Sequence, residues 1–219
     1  MSLEERARRH AALSDPRRLI VVDDLASGDR TVAELAEVVG IPGNLLAHHL
    51  DVLEDAGLVE RRVSEGDRRR RYVTLRWDRL PHDVDAVLTG TNVVFVCTHN
   101  SARSQFAAAL WQKTTGADVA SAGSHPSERV HPKAVQVAAE FGVDLSSGVP
   151  GGYETIPWVP DLVISVCDRA REEGVPNGKE HRHWSIPDPV PPGDLASFRS
   201  AFADIAARVG HLSDERTAS

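Results

Sequence analysis

Three helical segments lead into an arginine-flanked hairpin, and four short apolar runs then alternate with helical ones over a chain of 219 residues. This order predicts two domains: an α+β winged helix, then an α/β domain of flavodoxin-like layering, with a four-stranded parallel sheet and helices on both faces. The length allows each domain its own core. The first is expected over residues 1–80 and the second over 92–219. A linker at 81–91 is marked by Pro81 and Gly90 in "DRLPHDVDAVLTGTN".

Residues 5 to 26 place Ala7, Leu13, Leu19, Val22 and Leu25 at helical spacing, and "SDP" separates two helical pieces with a cap and a proline near a helix start. In "TVAELAEVVGIPGNLLAHHLDVLEDAGLV", Leu35, Val38 and Val39 give a short amphipathic helix and "GIPG" a turn. Leu46, Leu50 and Leu53 give a second helix that stops at Gly57. This is the outline of a helix-turn-helix. "LVERRV" and "RRYVTLRW" then read as two strands joined around "SEGD".

In the second domain "VVFV" (93–96) is a continuous apolar run suited to a buried parallel strand, and "SQFAAALWQKT" is a helix beginning just after Arg103. "DVASAG", "DLVISV" and "HRHWSI" supply three further strands.

Composition limits the function classes. No apolar stretch approaches the ~18 to 20 residues that span a bilayer, and the charged start "MSLEERARRH" lacks the apolar core of a signal peptide. The expectation is a cytoplasmic protein with no membrane partner. Two cysteines, Cys97 and Cys167, are too few for a disulfide scaffold. Each therefore calls for a chemical reading. Formal net charge is −7, yet residues 1–80 carry 14 Arg against 15 Asp/Glu, so the negative excess lies in the C-terminal part. The basic residues of "ERRVSEGDRRRRYVTLRW" form a local patch able to meet phosphate.

The chemical centre is the loop "CTHNSARS". Cys97 and Arg103 are separated by five residues. A turn of that size can wrap the backbone N–H groups of Thr98, His99, Asn100, Ser101 and Ala102 around a tetrahedral oxyanion at a helix N-terminus. Arg103 can clamp two oxygens of the anion, its positive field favours a Cys97 thiolate, and Ser104 is placed to donate a hydrogen bond to that sulfur. His99 either tunes Cys97 or faces solvent.

In "ALSDPRRLIVVDDL" and "HHLDVLEDAGLV" the chain resembles the arsenic-repressor (ArsR-like) winged-helix family over roughly residues 5 to 77. The resemblance implies a homodimer on double-stranded DNA, with a recognition helix beginning near Gly43. Asn44, Leu45 and His48 would face base edges, and Arg68, Arg69 and Arg70 of the wing would touch backbone phosphate. A solvated helix face and a solvated charge run are the competing reading. Where family sensors carry a Cys-x-Cys metalloid site, this chain has Thr31 and Ala33, and the family's recognition-helix serine is Ala47. A short segment, about residues 82 to 88, is the candidate final dimerisation helix. His48 and His49 adjoin on a helix and point apart, so no metal site is expected there.

From Val93 to about Leu212, on "CTHNSARS" and "HWSIPDP", the chain is similar to the low-molecular-weight tyrosine phosphatase superfamily, and within it to thiol-linked arsenate reductases. The similarity implies Asp188, followed by Pro189, as general acid, and Asn100 as the residue that holds the loop by side-chain hydrogen bonds. It assigns Cys167, at the end of the apolar run in "DLVISVCDRA", as a second redox cysteine. Val190 stands where many of the phosphatases carry an aromatic residue, and "SAGSHPSERVHPKAV" resembles the reductases. The implied function is reduction of arsenate, with phosphotyrosine hydrolysis, or oxyanion sensing without turnover, as alternatives. Gly174 replaces the third cysteine of thioredoxin-coupled enzymes, so thioredoxin, a glutaredoxin-like protein or a small thiol is expected to act directly on the disulfide. No bound cofactor or metal is expected, and Ala108 stands where some relatives have a cation-binding glutamate.

His181 and His183 in "EHRHW" share a strand face and are expected at the surface. Trp111, Trp158 and Trp184 are expected in packing, with a cover for the site as the alternative for Trp158, which lies on a loop.

Overall fold

The computed structural model describes residues 2–80 and 92–214. The chain divides into two compact units. The candidate dimerisation helix at 82–88 and the linker at 81–91 lie outside the described residues.

In the N-terminal unit α1 (Leu3–Ala12) opens on a capping box of Ser2 and Glu5, and α2 (Pro16–Ser27) on Asp15, whose side chain accepts from the Arg17 N–H. A two-residue strand β1 (Arg30–Thr31), not expected from the sequence, precedes α3 (Val32–Val39), which Thr31 and Glu34 cap reciprocally. Gly40, at φ 70°, closes α3 in the left-handed region and turns the chain toward α4 (Gly43–Asp55). β2 (Val59–Val63) and β3 (Arg71–Leu75) form an antiparallel hairpin, and β1 pairs with the far side of β3. The unit is therefore a helix-turn-helix with a wing.

Its core is built from Val21, Val22, Leu25, Leu35, Leu46, Leu50 and Leu53. Ala7, Leu19 and Val38, expected on apolar faces, are exposed. The chain breaks between α1 and α2, so residues 7 to 25 share no continuous helical face. Within α2 the buried stripe is Val21, Val22, Leu25 and Ala26, which leaves Leu19 beside it.

The C-terminal unit comprises β4 (Val93–Cys97), α5 (Arg103–Thr115), β5 (Val119–Gly123), α6 (Pro132–Glu140), β6 (Leu162–Ser165), α7 (Asp168–Glu173), β7 (Glu180–His183) and α8 (Leu195–Asp214). The four strands are parallel in the order β5-β4-β6-β7. The last strand stops at His183, earlier than "HRHWSI" suggests, and α5 begins at Arg103 itself. Phe95 packs against Trp111 and Trp184, with ring centroids 5.9 and 5.5 Å away. On the opposite face Val94, Val96, Ala122 and Val163 are covered by Tyr153, Ile156, Trp158 and Val175. Chain outside the α-helices thus covers part of a face where helices were expected. Trp158 packs on the sheet, the packing role expected of it, and does not take the alternative role of covering the loop.

The chain leaves β4 for β5 on one side and reaches β6 on the other, so the crevice beyond the ends of β4 and β6 is the topological switch point. Cys97 ends β4, and Cys167 lies two residues beyond the end of β6, with the Val166 N–H bonded to the Val96 carbonyl at 2.8 Å. Among the described residues no helix is long and apolar enough to cross a membrane.

Candidate active site

The loop from Thr98 to Ala102 is folded tightly over the start of α5. Asn100 adopts φ 48°, a left-handed conformation that asparagine tolerates better than most residues. This turns its own N–H toward the Cys97 sulfur, at 3.2 Å. The Asn100 Nδ2 donates to the Ser104 Oγ at 2.8 Å, which directs the serine's own hydrogen to the Cys97 Sγ, 3.0 Å away. Asn100 is held in turn by the Gln105 side chain and by the Gly151 N–H, at 3.1 and 3.0 Å from its Oδ1. The expected loop-stabilising role of Asn100 is thus visible as a network, and Gln105, which the sequence reading missed, is part of it.

The loop is supported from the segment after β5. N–H groups of Ser124, His125, Ser127 and His131 donate to the carbonyls of Cys97, Thr98, His99 and Ser101 at 2.8 to 3.2 Å. With its carbonyls so engaged, the loop can turn N–H groups toward an anion. Gly123 sits where a Cβ would lie 2.7 Å from the Thr98 carbonyl oxygen, so only glycine admits the loop this close. His99 is exposed, with Nδ1 3.1 Å from the His125 carbonyl, and an open cavity of about 520 Å³ beside it is lined by Ser101, Arg129, His131 and Val190.

Arg103 is buried, and its guanidinium is fixed by a 2.8 Å bond to the Ile186 carbonyl and a 3.2 Å ion pair with Asp188. Burial opposes its charge, but Cys167, Asp188 and Cys97 nearby outweigh that cost and raise its pKa further. Asp188 is half-buried, with Oδ1 accepting from the Val190 N–H at 3.2 Å.

The Thr98 hydroxyl reaches the Cys167 sulfur at 3.2 Å, both buried. Cys97, Thr98, Asn100, Arg103, Ser104, Cys167 and Asp188 are thereby gathered at one end of the sheet. Next to Cys167, the buried Asp168 lies 3.0 Å from the Nε2 of His183, also fully buried. Burial pushes the Asp168 carboxyl up, but the bond from His183 prevails and holds it below the ordinary aspartate value. The expectation that His181 and His183 both lie at the surface is therefore corrected for His183. Strand β7 is at the sheet edge, where His181 is exposed and His183 is enclosed beside α7. The signal available in the sequence was an aspartate directly after the second cysteine and a histidine directly before the tryptophan of "HWSIPDP".

In the N-terminal unit Asn44, Leu45 and His48 are exposed on α4, and Arg68, Arg69 and Arg70 are exposed in the turn between β2 and β3. His49 points the other way and is buried. Among the described residues no group of three or more His, Cys, Asp or Glu is arranged to hold a metal.

Comparison with known proteins agrees with this division. The family model for the low molecular weight phosphotyrosine protein phosphatase matches residues 92–218, and a helix-turn-helix domain model matches residues 13–62. The chain is 35% identical over 103 residues to an arsenate reductase of Halalkalibacterium halodurans, covering 45% of this chain and 73% of that one. It is 33% identical over 109 residues to an arsenate reductase of Staphylococcus aureus, covering 47% and 82%. Among solved structures, a YwlE mutant from Bacillus subtilis superposes with a TM-score of 0.50 at 23% identity, covering 58% of this chain and 99% of that one, which shows the shared fold. With more than half of its length matched by one family model, the chain belongs to the low molecular weight phosphotyrosine protein phosphatase family and carries a helix-turn-helix domain ahead of that family's domain.

Proposed function

We propose that the chain reduces arsenate to arsenite by thiol chemistry and that its N-terminal unit binds double-stranded DNA as an arsenic-responsive regulator, as a homodimer in the cytoplasm. One observation carries the reductase reading. A second buried thiol, Cys167, stands beyond the strand adjacent to that of Cys97 and touches the side chain of the next residue, Thr98. Phosphate ester hydrolysis needs no second thiol there. The arsenate reductases among the relatives support the same substrate.

In this scheme the loop N–H groups and the Arg103 fork hold the oxyanion, and the Cys97 thiolate, supported by Ser104 and the Asn100 N–H, attacks arsenic(V). Asp188 protonates the departing hydroxide, which leaves as water. The Cys167 thiolate then attacks the Cys97 sulfur. The S–S bond forms, the S–As bond breaks, and its electron pair stays on arsenic, which leaves as arsenite. The two sulfurs lose the two electrons that arsenic gains. A thioredoxin- or glutaredoxin-like protein or a small thiol restores the dithiol, because no third cysteine is available as an internal shuttle.

The test is a single turnover. Fully reduced protein is mixed with arsenate under anaerobic conditions, arsenite is assayed, and Cys97 and Cys167 are mapped by mass spectrometry. Arsenite together with a Cys97–Cys167 disulfide is expected, and Cys167→Ser abolishes both. Hydrolysis of a phosphotyrosine substrate that depends on Cys97 and Asp188, survives Cys167→Ser and is accompanied by no arsenite would assign the chain to the phosphatases instead.

A further inference from the structure

We infer that Asp168 and His183 are positioning residues for Cys167, forming with Ser165 a buried clamp that sets the second thiol for its attack. The inference rests on Cys167 being the thiol that closes the disulfide.

The clamp is a closed ring of contacts. Ser165, the last residue of β6, lies directly opposite His183, the last residue of β7, in the parallel register. Its Oγ is 2.9 Å and its carbonyl oxygen 3.1 Å from the His183 Nδ1. The other ring nitrogen, Nε2, faces the Asp168 Oδ1 at 3.0 Å. One imidazole therefore holds the residue two before Cys167 and the residue one after it. Only Val166 and Cys167 lie between the two anchor points, so the thiol-bearing segment is pinned from both sides.

Such pinning has a purpose here. Cys167 is the N-cap of α7 and makes no side-chain cap bond, and α7 has only six residues, too few to be stable by itself. The position of the sulfur is thus set by tertiary contacts. A buried carboxylate–imidazole pair is a poor device for stability alone, since apolar side chains of similar volume commonly serve as well. Directionality is what it adds. Thiol attack on a sulfur requires close approach along a defined line, and a displacement of about 1 Å costs on the order of 100-fold in rate.

The experiment compares full-length wild type with His183→Ala and His183→Gln. The glutamine amide can donate to Asp168 as Nε2 does. Two quantities are read: protection of Cys97 from iodoacetamide by inorganic phosphate, and the rate of Cys97–Cys167 disulfide formation. The second is measured with arsenate and, separately, with diamide, which takes up the two electrons and two protons of the dithiol. His183→Ala is expected to slow disulfide formation by about 10-fold or more with either oxidant. It should leave phosphate protection within about two-fold of wild type, and His183→Gln should recover most of the rate. If His183→Ala fails to fold by near-ultraviolet circular dichroism, Asp168→Ala is read against the same split.

Disulfide formation at the wild-type rate in the alanine variant, or an equal loss of phosphate protection and rate without recovery by glutamine, overturns the clamp. Wild type that forms the disulfide with diamide and not with arsenate overturns the substrate reading and leaves the clamp to be judged on the diamide arm. Wild type that forms it with neither overturns both.

Discussion

Thr98 and Cys167 stand 69 positions apart in the chain, yet the threonine hydroxyl lies 3.2 Å from the cysteine sulfur in a buried contact. The neighbour of the proposed nucleophile is thus the hydrogen-bond partner of the proposed second thiol. Thr98→Val keeps the side-chain outline and removes the hydroxyl. A net hydrogen bond contributes about 0.5–1.5 kcal/mol, so disulfide formation in a single arsenate turnover should slow roughly 2- to 10-fold. Thr98→Ser should stay near wild type, and phosphate protection of Cys97 should be unchanged in both. Equal disulfide rates in all three proteins would remove the hydroxyl from the mechanism.

Gly123 tests the support of the loop in place of its chemistry. A methyl group there meets two backbone atoms, the Thr98 carbonyl oxygen at 2.7 Å and the Asn100 nitrogen at 2.9 Å, so the loop must shift. Gly123→Ala is expected to weaken phosphate protection of Cys97 by about 10-fold or more, on the scale of a reacting group misplaced by a fraction of an ångström. Overpacking of this kind costs about 1–3 kcal/mol of stability, readable as a lower urea midpoint. Unaltered phosphate protection would mean that the loop's position does not govern oxyanion binding.

The parts of this site that could be read from sequence are those in which chemistry and spacing are local. Cys97, Asn100, Arg103 and Ser104 fall within eight consecutive residues between an apolar strand and a helix, and the structure brings them together as that order implies. The four strands were legible because each is a short apolar or alternating run in a fixed rhythm. The pairing of Thr98 with Cys167, and of Asp168 with His183, depends on sheet order and register, which no single segment encodes. The sequence groups His183 with His181 at the surface because the period of a strand gives its face and not which end of an edge strand is covered. Leu19 and Val38 failed for a related reason: apolar residues near a helical stripe still leave its exact orientation undetermined to within one position.

Arg103 offers a test of geometry against charge. Its guanidinium is fixed on two sides, by the Ile186 carbonyl at 2.8 Å and by Asp188 at 3.2 Å. Lysine would retain the charge but lose the planar fork that matches two oxygens of a tetrahedral anion. Hydrogen bonds to charged groups contribute about 1.5–3 kcal/mol, so Arg103→Lys should weaken phosphate binding by roughly 10- to 100-fold, measured by competition with alkylation of Cys97. Wild-type affinity in the lysine variant would show that charge alone suffices.

The acid stability of the C-terminal unit has a defined sign, set by Asp168 and His131 and also by the exposed Glu140, Asp144 and Asp194, whose carboxyls are lowered by hydrogen bonds from Arg199, Ser146 and Ser197. Asp168 has its pKa lowered in the folded protein, against burial, by the His183 hydrogen bond. Its contribution is complete above the unfolded value of about 3.9 and is lost as pH falls through the lower folded value. His131 is also lowered, first by burial and then by Lys133 and Arg129. Its contribution is present above about 6.5 and declines as pH falls through its folded value. Urea midpoints followed by tryptophan fluorescence in a Trp77→Phe background should therefore fall in both windows. His131→Asn should reduce only the step below about 6.5, and Asp168→Asn only the step below about 3.9, where Asp144 and Asp194 keep the remainder. A wild-type midpoint constant across both ranges would contradict the two assignments.

The arginines of the wing and the exposed face of α4 make separable predictions about DNA. Arg68, Arg69 and Arg70 occupy the turn between β2 and β3, where contacts to phosphate position a protein without reading sequence. Each phosphate contact removed lowers the slope of log affinity against log salt by about 0.9 on duplex DNA. Replacing all three by alanine should thus reduce the slope by at most about 2.7, and by the same amount on every duplex sequence. Asn44 and His48 on α4 should behave in the opposite manner. Their replacement by alanine leaves the salt slope in place and changes the ranking of duplex sequences, because groups at base edges discriminate by about 1–3 kcal/mol per pair. Both are measured by fluorescence anisotropy of labelled duplexes across a salt series. A wild-type chain with no salt-dependent affinity for any duplex would leave the helix-turn-helix unit as an anchoring or dimerisation module, and a triple variant with an unchanged slope would move the phosphate contacts off the wing.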